Sequence, residues 1–230
     1  MSGATGGIGR QTARELALRG FDLVLAARRK EDLERLAEEC SADGVRSLAV
    51  PGDLTLHSAC EKAIARAREV FPGHSPALVN LMGAAKFGPF AGMPWQEIEE
   101  QIAANLLGPM QLCHAVLPWM LESGGGRIVN VLSVAADRPM AGAAAYGAAK
   151  AGLRHFGRIL SEEVRRKGVK VTNLLPGATT TPLWDSVGSM PEREDMLTAR
   201  AVAEAIAWVL DLPADRTIDE LSIMPPKGVL

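Results

Sequence analysis

Residues 1–9 read MSGATGGIG, and this glycine-rich stretch decides how the rest of the chain is interpreted. Glycine permits a tight turn and lets the backbone approach a bound pyrophosphate closely, and here Gly3, Gly7 and Gly9 lead directly into a predicted helix. The N-terminus of such a helix offers amide hydrogens and a partial positive charge to a phosphate group. The stretch therefore predicts the phosphate-binding turn of a dinucleotide-binding protein, although a glycine-rich turn alone is a weakly specific signal.

The remainder of the chain alternates short apolar runs with longer segments of helical periodicity. Strands are predicted at residues 22–27, 45–50, 77–81, 124–132 (with its leading turn), 169–175 and 220–224, and helices at 8–19, 31–40, 57–71, 95–121, 144–167 and 201–210. We expect the helix 95–121 to bend near Gly108 and Pro109, because proline has no amide donor. This alternation predicts a single α/β domain over residues 1–230, with a doubly wound, Rossmann-like parallel sheet between two helical layers. The irregular segment 178–196 is predicted to be a substrate lid loop.

The composition excludes several function classes. The chain has 230 residues, 47% apolar residues and a net charge of −2, which gives no electrostatic basis for binding nucleic acid or an anionic membrane. No apolar run reaches the length of a transmembrane helix and no signal segment is recognised, so we expect a cytoplasmic protein. Cys40, Cys60 and Cys113 are predicted to be reduced thiols, and the histidines lack metal-ligand spacing, so no metal site is predicted.

The predicted strand 22–27 ends in the basic sequence AARRK, residues 26–30. A dinucleotide-binding fold that prefers NAD often has an acid at this point, which bonds the ribose 2′-hydroxyl. Here Ala27 is followed by Arg28 and Arg29, and an arginine can pair with a 2′-phosphate in a bidentate manner. The sequence therefore favours NADP(H), with NAD(H) as the alternative; a solvated basic start of a helix would give the same pattern.

Tyr146 is the only tyrosine of the chain and lies four residues before Lys150, so the two side chains share one face of a helix. A phenol is a poor base at neutral pH, and we expect the ammonium group of Lys150 to lower the pKa of Tyr146. A phenol tuned in this way can donate or accept a proton in carbonyl and alcohol chemistry. The small residues around the pair leave space for a ligand or a neighbouring helix.

Together these motifs resemble the short-chain dehydrogenases/reductases over almost the whole chain. The matching elements, in the family's order and near its spacing, are the glycine loop 3–9, Asp53 with Leu54, VNLMG at 79–83, Asn105, GRIVNVLSVAA at 126–136, Tyr146 with Lys150, and Pro176-Gly177 with Thr181. The resemblance implies an NADP(H)-dependent oxidoreductase that acts on a small-molecule carbonyl or secondary alcohol. It also implies a homodimer or homotetramer assembled through the two long helices.

The resemblance further implies a role for each catalytic position. Ser133 would hold the substrate oxygen, and Tyr146 would give or take the proton of that oxygen. Lys150 would bind the ribose hydroxyls and lower the tyrosine pKa, and Asn105 would support a water-linked proton path to the lysine. These four residues form the predicted catalytic set.

Other positions are implied to contact the cofactor: Asp53 and Leu54 at the adenine, Thr181 at the nicotinamide amide, and Gly177 beside the ring. The complete predicted cofactor set is Gly3, Thr5, Gly7, Ile8, Gly9, Arg28, Arg29, Asp53, Leu54, Asn80, Gly83, Tyr146, Lys150, Pro176, Gly177 and Thr181. Met140, Trp184 and Met190 are candidates to line the substrate pocket, and they would make the substrate at least partly apolar.

Two alternatives stay open. A regulatory or scaffold protein that binds NADP(H) without turnover would have the same fold, although the intact catalytic set argues against it. In addition, a buried central strand precedes the glycine loop in this architecture, and we expect Met1 to lie at the end of that strand, in a shortened chain with impaired activity. A chain with about five to eight more apolar residues before Met1 is then expected to be more stable.

Overall fold

The computed structural model describes residues 1–186 and 192–228. Its strands are β1 (Leu23–Ala27), β2 (Ser47–Pro51), β3 (Ala77–Asn80), β4 (Gly126–Val131), β5 (Val169–Pro176), β6 (Thr179–Thr180), β7 (Leu197–Thr198) and β8 (Glu220–Ile223). Its α-helices are α1 (Gly7–Leu18), α2 (Lys30–Ser41), α3 (His57–Val70), α4 (Trp95–Ile102), α5 (Gly108–Glu122), α6 (Ala144–Val164) and α7 (Ala199–Leu210). Every predicted strand and helix is present, with bounds that differ by a few residues.

The main sheet is parallel and lies between two layers of helices. β1 pairs with β2, and β3, β4, β5 and β8 follow in that order on the other side. One core, which includes Leu16, Leu33 and Ile206, packs α1, α2 and α7 against one face, and a second core packs α3, α5 and α6 against the other. The predicted doubly wound α/β fold is confirmed, and apolar runs such as LVLAA in β1 are explained by burial on both faces.

The first two residues join the two halves of the sheet. Ser2 forms parallel bridges to Ala26 of β1 and to Asn80 of β3. The Ser2 amide donates to the carbonyl of Val79 at 3.0 Å, and the Ala26 amide donates to the carbonyl of Met1 at 2.9 Å. Met1 and Ser2 thus lie in the central ladder position, immediately before the glycine turn.

The predicted bend in the long helix 95–121 is a π-helical turn at Ala103–Leu107, between α4 and α5. The amide of Gly108 donates to the carbonyl of Ala103, five residues earlier. Pro109 has no amide hydrogen to offer the carbonyl of Asn105, four residues before it, so the regular ladder is interrupted there. The interruption falls at a predicted catalytic residue.

Part of the predicted lid segment is anchored to the rest of the protein. β6 and β7 pair in parallel on either side of it, with Thr179 opposite Leu197 and Thr180 opposite Thr198. Short 3₁₀ turns lie at Pro182–Ser186 and Arg193–Asp195. No helix in the described part of the chain is both long and apolar enough to cross a membrane.

Candidate active site

The glycine loop forms a close-packed turn at the carboxyl ends of the strands. A Cβ atom at Gly9 would lie 2.2 Å from the carbonyl oxygen of Gly3 and 2.8 Å from that of Ala4, so only glycine fits there. Helix α1 begins within this turn at Gly7, and its first turn carries no acidic side chain. Its free amides and the positive end of its dipole therefore face outward as an anion-binding end.

A cleft of about 290 Å³, here called the cofactor cleft, extends from this loop toward α6. The predicted residues that line it are Gly3, Thr5, Gly7, Ile8, Gly9, Arg29, Gly83, Asn105, Tyr146, Lys150 and Thr181. These residues come from separate segments of the chain, and the fold brings them to one edge of the sheet. This is the edge at which open parallel sheets bind ligands.

Five predicted cofactor residues lie elsewhere. Pro176 and Gly177 line a neighbouring cavity, which is described below. Asp53 is exposed and accepts hydrogen bonds from the amide and hydroxyl of Thr55, whereas Leu54 is buried in the core. Arg28 is exposed, and its positive charge helps to hold the pKa of Asp53 below its usual range, after the Thr55 amide as the main cause.

The side chain of Asn80 is also outside the cleft lining. It is buried and donates to Oδ1 of Asn130 at 2.9 Å, and Asn130 in turn faces Asn173 at 3.4 Å. The three asparagines occupy matching register positions on β3, β4 and β5. Asn80 therefore belongs to a buried amide ladder within the sheet, which its lone match to a family motif did not indicate.

Arg29 lies where the loop meets the end of β1. Its Nη2 donates to the carbonyl of Thr5 at 3.1 Å, and its Nε forms an ion pair with Asp32 at 2.7 Å. Arg10 and Arg35 also pair with Asp32, and the hydrogen bond from Arg35 is the main reason that the pKa of Asp32 lies below its usual range. One carboxylate thus serves three arginines, so this end of the cleft keeps an excess of positive charge.

Lys150 is held by the sheet. Its ammonium group is buried and donates to the carbonyl of Val131 at 3.0 Å, at the end of β4. Burial lowers the pKa of Lys150 to about 8. The Nζ atom lies 5.9 Å from the ring centroid of Tyr146, one helical turn away.

The sequence-based expectation for the pKa of Tyr146 is wrong for the protein in this state. Its pKa is raised above the ordinary value because the phenol is buried, and a hydrogen bond with Ser133 offsets only part of that rise. The ammonium group of Lys150 makes its hydrogen bond to Val131. Helical spacing predicts that two side chains are neighbours, but desolvation and hydrogen-bond partners decide the sign of the shift.

Asn105 lies against the same pair. Its Nδ2 donates to the carbonyls of Ala84 at 2.6 Å and Gln101 at 2.8 Å. Its Oδ1 is buried and has no hydrogen-bond partner among the described residues. A Cβ atom at Gly83 would lie 2.7 Å from this oxygen and 3.6 Å from Nζ of Lys150, so the glycine keeps open the space that joins them.

A second cavity of about 100 Å³, here called the substrate cavity, adjoins the cleft. Ser133, Tyr146, Met140 and Trp184 line it, as predicted from the sequence, and none of the described residues that line it is charged. Nε1 of Trp184 donates to the carbonyl of Thr179 at 2.9 Å, which anchors the indole. The predicted Met190 lies outside the described residues.

Phe87 is a cavity residue that the sequence analysis missed. Its ring stacks on Trp184 and also contacts Tyr146. The available signal was its position in the segment that follows β3, since such segments lie at the ligand-binding edge of a parallel sheet. The pairing of Arg10 and Arg35 with Asp32 was missed as well, because it depends on how α1 packs beside α2.

The cofactor cleft has the features that a dinucleotide requires. The glycine cradle fits a pyrophosphate at a helix N-terminus, the arginines suit a further phosphate, and the unpartnered Oδ1 of Asn105 marks a polar position at the other end. By contrast, no group of three or more potential metal ligands occurs within residues 1–186 and 192–228.

Comparisons with known proteins agree with this geometry. The family profile for short chain dehydrogenases matches residues 1–192. Sulfoacetaldehyde reductase 2 of Chromohalobacter salexigens is 35% identical over 241 residues, covering 99% of this chain and 93% of that protein. The alcohol dehydrogenase of the archaeon Thermococcus sibiricus, solved with 5-hydroxy-NADP, has a TM-score of 0.89 and 28% identity, and a metagenomic short-chain oxidoreductase solved with NADP has a TM-score of 0.84 and 30% identity. Each alignment with these two structures covers 97% of this chain and 94% of the other. The chain therefore belongs to the short chain dehydrogenase family of oxidoreductases.

Proposed function

We propose that the protein is an NADP(H)-dependent oxidoreductase that interconverts a small, uncharged, apolar carbonyl compound and its alcohol, with Tyr146 as the proton donor and acceptor. The observation that carries this proposal is the position of Tyr146, which lines both the cofactor cleft and the substrate cavity. Ser133 lines only the cavity, and Lys150 lines only the cleft. A hydroxyl on the shared wall can reach a substrate oxygen that is also next to a bound cofactor.

The glycine loop and the N-terminus of α1 would hold the pyrophosphate, and Arg29 would pair with the 2′-phosphate. Thr181 and Lys150 would contact the nicotinamide half. When bound, NADP(H) supplies or accepts the hydride. Support for the phosphorylated cofactor comes from the excess of arginine around Asp32 and from the NADP complexes of the two structural neighbours.

In the reducing direction Tyr146 would donate its phenolic proton to the substrate oxygen, while Ser133 hydrogen-bonds that oxygen. The raised pKa of Tyr146 keeps the phenol protonated at neutral pH, which suits this step. Lys150 would then stabilise the phenolate that remains, since its ammonium group lies one helical turn away. In the oxidising direction the same groups would act in reverse.

Asn105 would help to return a proton to Tyr146 through Lys150. Its Oδ1 is unpartnered, and the carbonyl that Pro109 leaves free lies in the same π-helical turn. Both oxygens can accept a hydrogen bond from a water molecule. Asn105 would therefore position a water-linked path rather than contact the substrate.

The substrate class follows from the cavity wall. A volume of about 100 Å³ lined by Phe87, Met140 and Trp184 suits a small apolar molecule. The relative from Chromohalobacter salexigens is named for a sulfonated aldehyde, but no cation lines the described cavity, and residues 187–191, VGSMP, contain no basic side chain. An anionic group would lose its hydration here without a partner, so we propose an uncharged substrate.

Replacement Tyr146→Phe tests the proposal against a purely cofactor-binding role. We expect the kcat for NADPH-dependent reduction of 2-butanone to fall by about 10²–10⁴-fold, while NADPH still binds as measured by its fluorescence. Ser133→Ala should also lower kcat, whereas Ser41→Ala, at an exposed position of α2, should not. A wild-type protein that binds NADPH but reduces no member of a broad carbonyl panel would instead support the scaffold role.

We also propose a homodimer or homotetramer. Trp95 on α4 is 66% exposed, Leu107 in the π-helical turn is 46% exposed and Ile159 on α6 is 48% exposed, which leaves apolar area for a second copy to cover. Light scattering would measure the mass in solution. A monomer at all concentrations would contradict this proposal without affecting the catalytic one.

A further inference from the structure

The main sheet contains a gap between β1 and β3. Only Met1 and Ser2 lie between these strands, and they pair with Ala26, Val79 and Asn80 at the carboxyl end. Toward the other end lies a cavity of about 440 Å³. It is the space of a strand position inside the sheet, and it is distinct from both the cofactor cleft and the substrate cavity.

The walls of this gap are apolar and come from both helical layers. Leu16 and Leu210 line it from α1 and α7, and Ala67, Val116 and Trp119 line it from α3 and α5. Protein interiors rarely contain voids much larger than one water, and this cavity would hold roughly fifteen waters at about 30 Å³ each. A void of this size between two packed layers is a binding site for an apolar group of matching length.

The edges of the gap are backbone edges. In a parallel ladder, alternate residues direct both of their backbone groups to the same side. The Leu23 amide donates toward β2, to Arg46 at 2.8 Å, so Val24 faces the gap. The Arg127 amide of β4 bonds the carbonyl of Pro76 at 3.3 Å, so Ala77 of β3 faces the gap from the opposite side. These two residues present peptide groups to any strand placed between them.

The amino group of Met1 closes the far end of the gap. It is buried and donates to the carbonyl of Val24 at 2.6 Å. Burial lowers its pKa to about 5. A buried amine beside unpaired backbone can form an ion pair with a carboxylate that enters the same space, and the proton for that pair is gained from solvent.

We propose that the gap binds an extended apolar peptide of about five residues as a parallel strand, with the free C-terminal carboxylate of the peptide paired with the Met1 amino group. The direction follows from Ser2, which is parallel to both neighbours, so that a strand continuing this ladder has its C-terminus at Met1. The length follows from the segments 20–24 and 74–79 that flank the gap. This site is independent of the proposed catalytic function.

The test uses the synthetic peptide acetyl-KKVAVVI with a free carboxylate, whose β-branched residues favour a strand and whose lysines stay in solvent. Added in about tenfold excess over its Kd, it should raise the Tm of the protein by about 3–6 °C in a saturable manner. The same peptide with a C-terminal amide should bind at least about tenfold more weakly, because it cannot form the ion pair.

Paired variants of α3 locate the site. Ala67 is buried and lines the gap, whereas Ala65 is exposed on the same helix. Ala67→Phe should remove the effect of the peptide by filling the gap, and Ala65→Phe should leave it unchanged. Since the comparison of acid and amide peptides needs only the wild-type protein, the proposal can be tested even if Ala67→Phe does not fold.

Three results would overturn the proposal: no rise in Tm with the acid peptide, an equal rise with the polar peptide acetyl-KKSGSSN, or an equal rise in the Ala67→Phe variant. A dimer that dissociates when Ala67 is replaced by Phe, with no peptide binding at any concentration, would also overturn it. In that case the occupant of the gap would be a second copy of the chain.

Discussion

The indole of Trp184 lies parallel to the phenyl ring of Phe87, with ring centroids 6.3 Å apart and planes that differ by 5°. Phe87 also contacts the ring of Tyr146, with centroids 5.9 Å apart. The stack therefore connects the segment after β6 to the proposed catalytic hydroxyl through a residue that follows β3. It forms the apolar wall against which a substrate would rest.

Removing one ring of the stack should weaken substrate use selectively. We expect Trp184→Ala to lower kcat/KM for 2-butanone about tenfold, since an aromatic pair contributes about 0.5–1.5 kcal/mol beyond its buried area and the cavity wall is lost as well. The Kd for NADPH, measured by fluorescence, should change far less. Trp208→Ala is the matched control, because Trp208 is 49% exposed on α7. Equal losses in both variants would mean that the stack does not line the working pocket.

Adding a methyl group at Gly83 should disturb the proposed proton path. The new Cβ would lie 2.7 Å from Oδ1 of Asn105, closer than carbon and oxygen tolerate, and the displacement would reach Lys150. We expect Gly83→Ala to lower kcat by about 10²-fold, because small displacements of catalytic groups have effects of that size. At Gly92 a Cβ meets nothing within 4 Å, so Gly92→Ala should keep full activity. Wild-type kcat in Gly83→Ala would exclude Asn105 from the path.

Arg29 should set the preference between the two nicotinamide cofactors. Loss of a charge-assisted hydrogen bond costs about 1.5–3 kcal/mol, so Arg29→Ser should raise the Kd for NADPH by at least about tenfold. The Kd for NADH should stay close to the wild-type value, because NADH has no 2′-phosphate. Arg66→Ser, which removes an exposed arginine of α3, provides the control. A parallel loss of NADH and NADPH binding in Arg29→Ser would show that Arg29 only supports the loop through Thr5.

The pH dependence of reduction should report the ionisation of Lys150. Burial lowers the pKa of this ammonium group to about 8, so it is charged at neutral pH and loses its proton as the pH rises through that value. The proposed role requires the charged form, and therefore kcat/KM for reduction should be constant below about pH 8 and fall by up to about tenfold per pH unit above it. Tyr146 does not titrate in this window, because its pKa is raised from 10.0.

The variant Lys150→Arg checks the assignment of that pH profile. An arginine stays protonated throughout the range, so any residual activity should lose the decline near pH 8. A decline at the same pH in this variant would assign it to another group.

The main fold and the glycine loop could be predicted because their causes are local. Strand and helix periods identify parallel strands alternating with helices, and the spacing of Gly3, Gly7 and Gly9 reflects contacts within a single turn. The spacing of Tyr146 and Lys150 belongs to one helix and places them side by side in the same way.

The environment of those residues was decided by tertiary structure. Burial raises the pKa of Tyr146, and the carbonyl of Val131 holds Lys150, so the sign of the tyrosine shift could not follow from helical spacing alone. The stack of Phe87 on Trp184 and the amide ladder of Asn80 likewise join distant segments. Sequence periodicity reports which residues neighbour each other along one element. Contacts, desolvation and charge pairing between elements exist only once the strands have met at a common edge.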